Sequence, residues 1–221
     1  MELKLYNLAY PVTALGPGRR VAVWVAGCPL RCKGCITPHL LSGDAGKSIA
    51  VPRLVKRLLQ LPVPVDGVTL TGGEPFAQAE ALAALLRVLK AERPQWNVLT
   101  FSGFTLRQWQ RGDAAQRQLL QQIDVLVDGP YLAGQPGRHP LTASANQQLH
   151  LLTPRAQTLK PALDALPANT ANLGLSPHGE DCLIGIVDPH ARRLFHRGLR
   201  LSTPDLEQPT ESGGRQHADF Y

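Results

Sequence analysis

The chain has 221 residues and a mass of 24.0 kDa, 43% hydrophobic and 18% charged, enough for one domain, or one plus an appendage, around a real core. No apolar run approaches the ~20 residues that cross a bilayer, and the N-terminus, charged at Glu2 and Lys4, has no apolar h-region before a small-residue cleavage site; a cytoplasmic protein with no membrane partner is expected. The net charge of +6 comes from scattered residues such as Arg19, Arg20, Arg53, Lys56 and Arg192, and aromatics make up only 5%, so a solvated basic surface is read here rather than a nucleic acid site.

In chain order, residues 21–26 (VAVWVA) form an apolar, β-branched strand that ends at a cysteine cluster. A helix is expected over about 49–61, with Leu54, Val55, Leu58 and Leu59 at helical spacing, and a second strand over 67–72. Residues 77–93 make an amphipathic helix with Leu82, Leu85, Leu86 and Leu89 on one face. A third strand (97–102), a helix over 105–122 broken near Gly112, a fourth strand (123–128) and a fifth (147–153) follow. Alternating strands and helices imply βαβ units. The fold class is therefore α/β with a mainly parallel sheet, and four or five strands are too few to close an eight-stranded barrel, which leaves an open partial barrel. Residues 171–189 read as two strands joined by a polar, glycine-containing turn, a β-hairpin. A short basic helix is expected over 190–201, and a disordered tail from 204. The division is 1–153 as the main domain, 154–203 as an extension and 204–221 as the tail.

Of the four cysteines, three crowd into one loop: Cys28, Cys32 and Cys35, spaced C-x-x-x-C-x-x-C. A secreted disulfide framework spreads its cysteines, whereas crowded thiols in a reducing compartment suit metal ligation. Three thiolates can hold three irons of a [4Fe-4S] cube and leave the fourth iron open to a substrate; ferredoxins normally supply a fourth cysteine. Two readings compete. Zinc needs a fourth ligand, for which His39 is the nearby histidine, and Cys32 with Cys35 alone matches a dithiol pair. The other cysteine, Cys182, reads as a small buried residue. After the second strand comes Gly72-Gly73-Glu74-Pro75. Glycines there admit a ligand to the backbone and a carboxylate can meet an ammonium group; an ordinary tight turn is the plain alternative.

These two motifs together resemble the radical S-adenosylmethionine superfamily. Within it the chain resembles the glycyl-radical activases of anaerobic ribonucleoside-triphosphate reductases, over roughly residues 3–153, through the segments 16–28, 71–76, 101–106, 124–131 and 144–152. Gly34 stands where many superfamily members carry an aromatic before the third cysteine, and in this it agrees with the reductase activases. The resemblance implies a [4Fe-4S] cluster with one open iron on Cys28, Cys32 and Cys35, and S-adenosylmethionine bound beside Gly72, Gly73 and Glu74. It implies that Ser102 and Asp128 face the cofactor from strand ends, Asp128 near S-adenosylmethionine or a monovalent cation, and that Asn146 and Gln147 border the adenosine. Each could instead be a loop residue capping its own backbone.

The implied activity is one-electron cleavage of S-adenosylmethionine, fed by flavodoxin or ferredoxin, to place a glycyl radical on the anaerobic ribonucleotide reductase as partner. No catalytic residue is expected beyond the cluster and the cofactor. Two features depart from the activases: Ile36-Thr37-Pro38-His39 after the third cysteine, and the extension from Pro154. They motivate an alternative, a radical S-adenosylmethionine enzyme acting on another peptide or small molecule. A non-catalytic iron–sulfur or zinc module is the third reading.

Overall fold

The computed structural model describes residues 1–176, 178–179, 181–188, 190 and 192–194. Its elements are β1 (Glu2–Val12), β2 (Arg20–Val25), β3 (Lys47–Ala50), α1 (Val51–Leu59), β4 (Gly67–Gly72), α2 (Ala79–Glu92), β5 (Asn97–Phe101), α3 (Leu106–Gln110), α4 (Ala114–Leu120), β6 (Val125–Asp128), β7 (Gln148–Leu151), α5 (Pro154–Asp164), β8 (Asn172–Leu175) and β9 (Asp181–Ile184). Seven strands form one sheet in the order β3-β1-β2-β4-β5-β6-β7, and β8 pairs with β9 as a separate hairpin. The four central strands run parallel, and the outer pairings β1–β2, β1–β3 and β6–β7 are antiparallel.

Both faces of the central strands are covered, which is why β2 reads as a continuous apolar run after Arg20, with every residue buried. Val21, Val23, Val25, Val68, Leu70 and Val98 pack against the leucines of α1 and α2. On the opposite face, Ala22 and Trp24 share a cluster with Val12, Leu15, Leu40 and the hairpin residues Cys182 and Ile184. Leu99, Val125 and Val127 meet Leu141 and the α5 residues Ala156 and Leu163 there. The extension thus completes the core on the face away from α1 and α2.

Several sequence expectations needed revision. β1 was unforeseen because Asn7 and Pro11, poor strand residues, interrupt the segment after its alternating Glu2–Leu5 stretch. β3 takes Lys47–Ala50 by pairing with β1, so α1 begins only at Val51. The break expected near Gly112 is there: 105–122 is two helices, each opened by its own capping box, Thr105 with Gln108 and, after Gly112, Asp113 with Gln116. The fifth strand exists but runs antiparallel, since its connection from β6 holds no crossover helix among the described residues. The hairpin stands as expected. The basic helix expected over 190–201 lies largely, and the tail from 204 wholly, outside the described residues.

The amino ends of the parallel strands are sealed by Arg20, fully buried. Its Nε donates to Thr69 Oγ1 at 2.6 Å, Nη1 to Asn97 Oδ1 at 2.7 Å and to the Pro17 carbonyl, and Nη2 to the Val68 and Asn97 carbonyls. Burial lowers its pKa to about 10, which still leaves it charged at neutral pH. Among the described residues no helix is long and apolar enough to cross a membrane. The opposite, carboxyl ends of the strands are left for chemistry.

Candidate active site

Each motif found in the sequence occupies a loop at the carboxyl end of one parallel strand, and every loop is tied to the next. The cysteine loop leaves β2 at Gly27, whose φ of +94° needs glycine. It is hung at its base by hydrogen bonds from the Gly27 N–H to the Leu40 carbonyl and from the Cys28 N–H to the Leu41 carbonyl. Within it, Arg31 and Gly34 adopt positive φ and the Cys35 N–H donates to the Cys32 carbonyl, which closes a turn over Cys32–Cys35. All three are half-buried. The Thr37 N–H donates to Cys35 Sγ at 3.4 Å, and the amides of Leu30 and Arg31 face Cys28. Burial pushes the Cys28 thiol upward; those two amides oppose the shift, while Glu74 and Cys35 add to it.

The β4 loop locks against this base. The Gly73 N–H donates to the Val25 carbonyl at 2.7 Å and the Glu74 N–H to the Gly27 carbonyl at 2.8 Å. A Cβ on Gly72 would lie 2.4 Å from the Val25 oxygen, and one on Gly73 equally close to the Gly27 oxygen. The paired glycines are therefore required by the neighbouring strand's backbone, before any ligand is considered. Thr37 adds a clasp, its hydroxyl donating to the Gly72 carbonyl at 3.2 Å.

Glu74 is buried and points into the next loop. Its Oε1 accepts the Phe76 N–H, its Oε2 the Gly103 N–H at 2.9 Å, and Ser102 Oγ lies 3.1 Å from both oxygens. Burial raises the Glu74 pKa to about 7, opposed by the Phe76 and Gly103 amides and the Ser102 hydroxyl. Ser102 Oγ in turn accepts the Trp109 indole N–H at 2.8 Å and the Phe104 N–H. The Trp109 ring stacks on Phe76 with centroids 4.3 Å apart. Leu30 of the cysteine loop reaches the same place, since a Cβ on Gly103 would strike its Cδ1 at 2.2 Å.

Asp128 ends β6, buried, with Oδ2 accepting the Leu106 N–H at 2.5 Å and Oδ1 standing 3.0 Å from His150 Nε2. The His150 contact is at ion-pair distance without hydrogen-bond geometry. Asn146 Nδ2 donates to the Pro130 carbonyl at 2.7 Å, and Gln147 Nε2 to the Gly129 carbonyl at 3.0 Å, while Gln147 Oε1 accepts the Ala143 and Ser144 amides. These two amides staple the loop that follows β6. Tyr131 of that loop returns to the cysteines, its ring 3.5 Å from where a Gly34 Cβ would be.

All ten residues singled out by sequence thus lie in one ring of contacting loops. Thr37, Trp109 and Tyr131 were missed. Of these only Thr37 had a usable signal, a hydroxyl two positions after the last cysteine.

The thiols suit a cluster better than a single ion. Ligands of one ion converge on one point, and among the described residues no group of three or more His, Cys, Asp and Glu does so. In a cube each cysteine holds a different iron, and three thiols on one loop are a donor set that such a cluster takes. The amides facing Cys28 and Cys35 are suitable donors to cluster sulfur, one of the means by which proteins tune such centres. Cys182 takes no part; it is buried under the opposite face of the sheet.

The profile of the family described as a 4Fe-4S single cluster domain matches residues 14–150. The anaerobic ribonucleoside-triphosphate reductase-activating protein of Vibrio cholerae is 34% identical over 156 residues, covering 67% of this chain and 98% of that protein. The proteins of the same name from Haemophilus influenzae and Escherichia coli are each 30% identical, over 152 and 156 residues, covering 66% of this chain and 96% and 98% of theirs. Among solved structures, QueE from Escherichia coli superposes with a TM-score of 0.39 at 19% identity over 48% of this chain and 54% of that one, too distant a likeness to carry an argument.

Proposed function

Because this chain belongs to the 4Fe-4S single-cluster family, among the anaerobic ribonucleoside-triphosphate reductase-activating proteins, we propose that it is a radical S-adenosylmethionine activase that places a glycyl radical on such a reductase. The observation that carries this is the ring of loops, in which one loop bearing three half-buried thiols is braced by the glycine pair, Glu74 and Ser102. In this reading Cys28, Cys32 and Cys35 hold a [4Fe-4S] cluster with one iron free of protein ligands. When bound, the cluster would supply the electron, received from a reduced flavodoxin or ferredoxin, for reductive cleavage of S-adenosylmethionine.

The chain's own residues then have distinct tasks. The Gly73 and Glu74 N–H groups are spent on the Val25 and Gly27 carbonyls, so what the β4 loop has to offer an ammonium group is carbonyl oxygens, the acceptors it needs. Glu74 fixes that loop to the Ser102–Gly103 turn, so its carboxylate acts on a ligand mainly through position. Asp128 sets the start of α3, and Asn146 and Gln147 hold the Gly129–Pro130 turn in place. The chemistry is assigned to residues 1–153, arranged as an open partial barrel. The extension, 154–203, is assigned to closing the far face of the sheet. Three cysteines crowded in one loop support a reducing, cytoplasmic setting.

The test is anaerobic reconstitution with iron and sulfide, followed by S-adenosylmethionine, a low-potential reductant and quantification of 5′-deoxyadenosine. Wild-type protein should take up about four irons and release deoxyadenosine. Cys32→Ala should release none. Wild-type protein with a full cluster and no turnover would sink the reading.

A further inference from the structure

A cleft of about 450 Å³ opens beside the cysteine loop, between three walls. Gly34 and Ile36 form the first, Tyr131 and the 134–140 segment the second, and Asn169, Asp188 and Arg192 of the extension part of the third. We propose that this cleft seats an acidic, extended segment of the protein partner, with Arg138 and Arg192 pairing with its carboxylates. The inference rests on the activase reading, which requires a polypeptide to approach the cysteine loop, and adds what recognises it.

The charges on the cleft do not cancel. Among the described residues its titratable groups are Arg138, His139, Tyr131, Asp188 and Arg192. His139 is occupied on both ring nitrogens, Nδ1 accepting the Leu141 N–H and Nε2 lying 3.2 Å from the Leu163 carbonyl. The Asp188 carboxylate accepts from Asn169 Nδ2 at 2.8 Å. Among the described residues neither guanidinium has a hydrogen bond or an ion pair. Two arginines therefore face the cleft without a counter-ion of their own, and each can take a carboxylate in bidentate fashion.

The walls favour a backbone-like guest. Gly134, Pro136, Gly137 and Pro140 give the second wall little side-chain bulk, and a Cβ at Gly134 would meet nothing within 4 Å. Ile36, Ile186 and Val187 supply apolar surface below the charged rim. The third wall is a built feature. Asn169 holds a φ of +53°, and its side chain exchanges two hydrogen bonds with Asp188, donating from Nδ2 and accepting the Asp188 N–H at 2.9 Å. The Arg192 N–H donates to the Asp188 carbonyl, so its side chain springs from a fixed base. This wall lies beyond residue 150, where the family match ends. It would tune recognition in this chain specifically.

The test measures binding of the full-length protein to the host's anaerobic reductase by biolayer interferometry, at low and high salt, among preparations matched for iron content. Arg138→Glu/Arg192→Glu should weaken binding about tenfold or more at low salt, with the gap narrowing as salt screens it. Arg138→Lys/Arg192→Lys should lose much less. Equal binding by wild type and the charge-reversed variant would overturn the inference and leave the activase reading standing. A variant that binds the reductase normally but loses affinity for ribonucleoside triphosphates would overturn it in favour of a nucleotide site. No binding of wild type to the reductase, at either salt, would overturn both.

Discussion

Ser102 Oγ lies 3.1 Å from both carboxylate oxygens of Glu74 while accepting the Trp109 indole N–H at 2.8 Å. A hydroxyl has one proton to give and two lone pairs to fill. Here the proton goes to the carboxylate and the lone pairs to Trp109 and Phe104, so the serine is fully used. It joins the loop that follows β4 to the one that follows β5, and Glu74 carries that connection on to the base of the cysteine loop through its N–H.

Ser102→Ala should therefore strand a buried indole N–H and loosen a buried carboxylate. The expected cost is about 1–3 kcal/mol of unfolding free energy, read as a lower urea midpoint. Deoxyadenosine formation should fall with it even at full iron content. A variant as stable and as active as wild type would show that Glu74 is held without this serine.

Gly72→Ala tests the close approach of the strands. The new methyl would meet the Val25 carbonyl at 2.4 Å in a backbone with φ of +108°. Strain of about 1–3 kcal/mol is expected, together with weaker S-adenosylmethionine binding in equilibrium dialysis. Unchanged stability would mean that β2 and the β4 loop can separate without penalty.

Arg20→Met removes five donors from acceptors that are all buried. The Asn97 and Thr69 oxygens lose their guanidinium partner at the closed end of the sheet, and a loss of about 3 kcal/mol or more is expected. Thermal unfolding should show a drop of about 6–12 °C for a chain of this size. Cluster uptake at the far end of the strands should survive in the folded fraction.

Cys182 is protected by burial, which raises its pKa from 9.0 to about 11, with Asp181 adding to the shift and the Gly174 backbone opposing it. Between those two pH values the unfolded chain sheds this proton while the folded chain keeps it. The thiol's contribution to stability is thus full below pH 9 and is lost as pH rises toward 11. In iron-free native protein at about pH 8, iodoacetamide should alkylate Cys28, Cys32 and Cys35 and spare Cys182. Mass spectrometry of the peptides reads the result, and equal labelling of all four would contradict the burial.

Much of this arrangement was legible from residue order. The apolar run over 21–26 announced one central strand because a strand covered on both faces needs no alternation, the Val-Thr-Leu-Thr stretch within 67–72 announced the next, and the cysteine and glycine motifs stood directly after them. β1 stayed hidden because its Glu2–Leu5 alternation is short and gives way to Asn7 and Pro11, where its pairing with β2 is also irregular. The direction of β7 was equally invisible, being fixed by the path of the chain after β6. Among site residues, Glu74 and Ser102 were found as separate motif members, but their bond spans 28 positions and only folding reveals it. Tyr131 fills the space over Gly34 from nearly a hundred residues away, which no local pattern announces.

The most direct test of the central claim is anaerobic electron paramagnetic resonance on reconstituted protein mixed with S-adenosylmethionine, a low-potential reductant and the host's anaerobic reductase. The account predicts a glycyl-radical doublet that is absent with Cys32→Ala. Deoxyadenosine production without the doublet would contradict it and point to another peptide or small-molecule substrate.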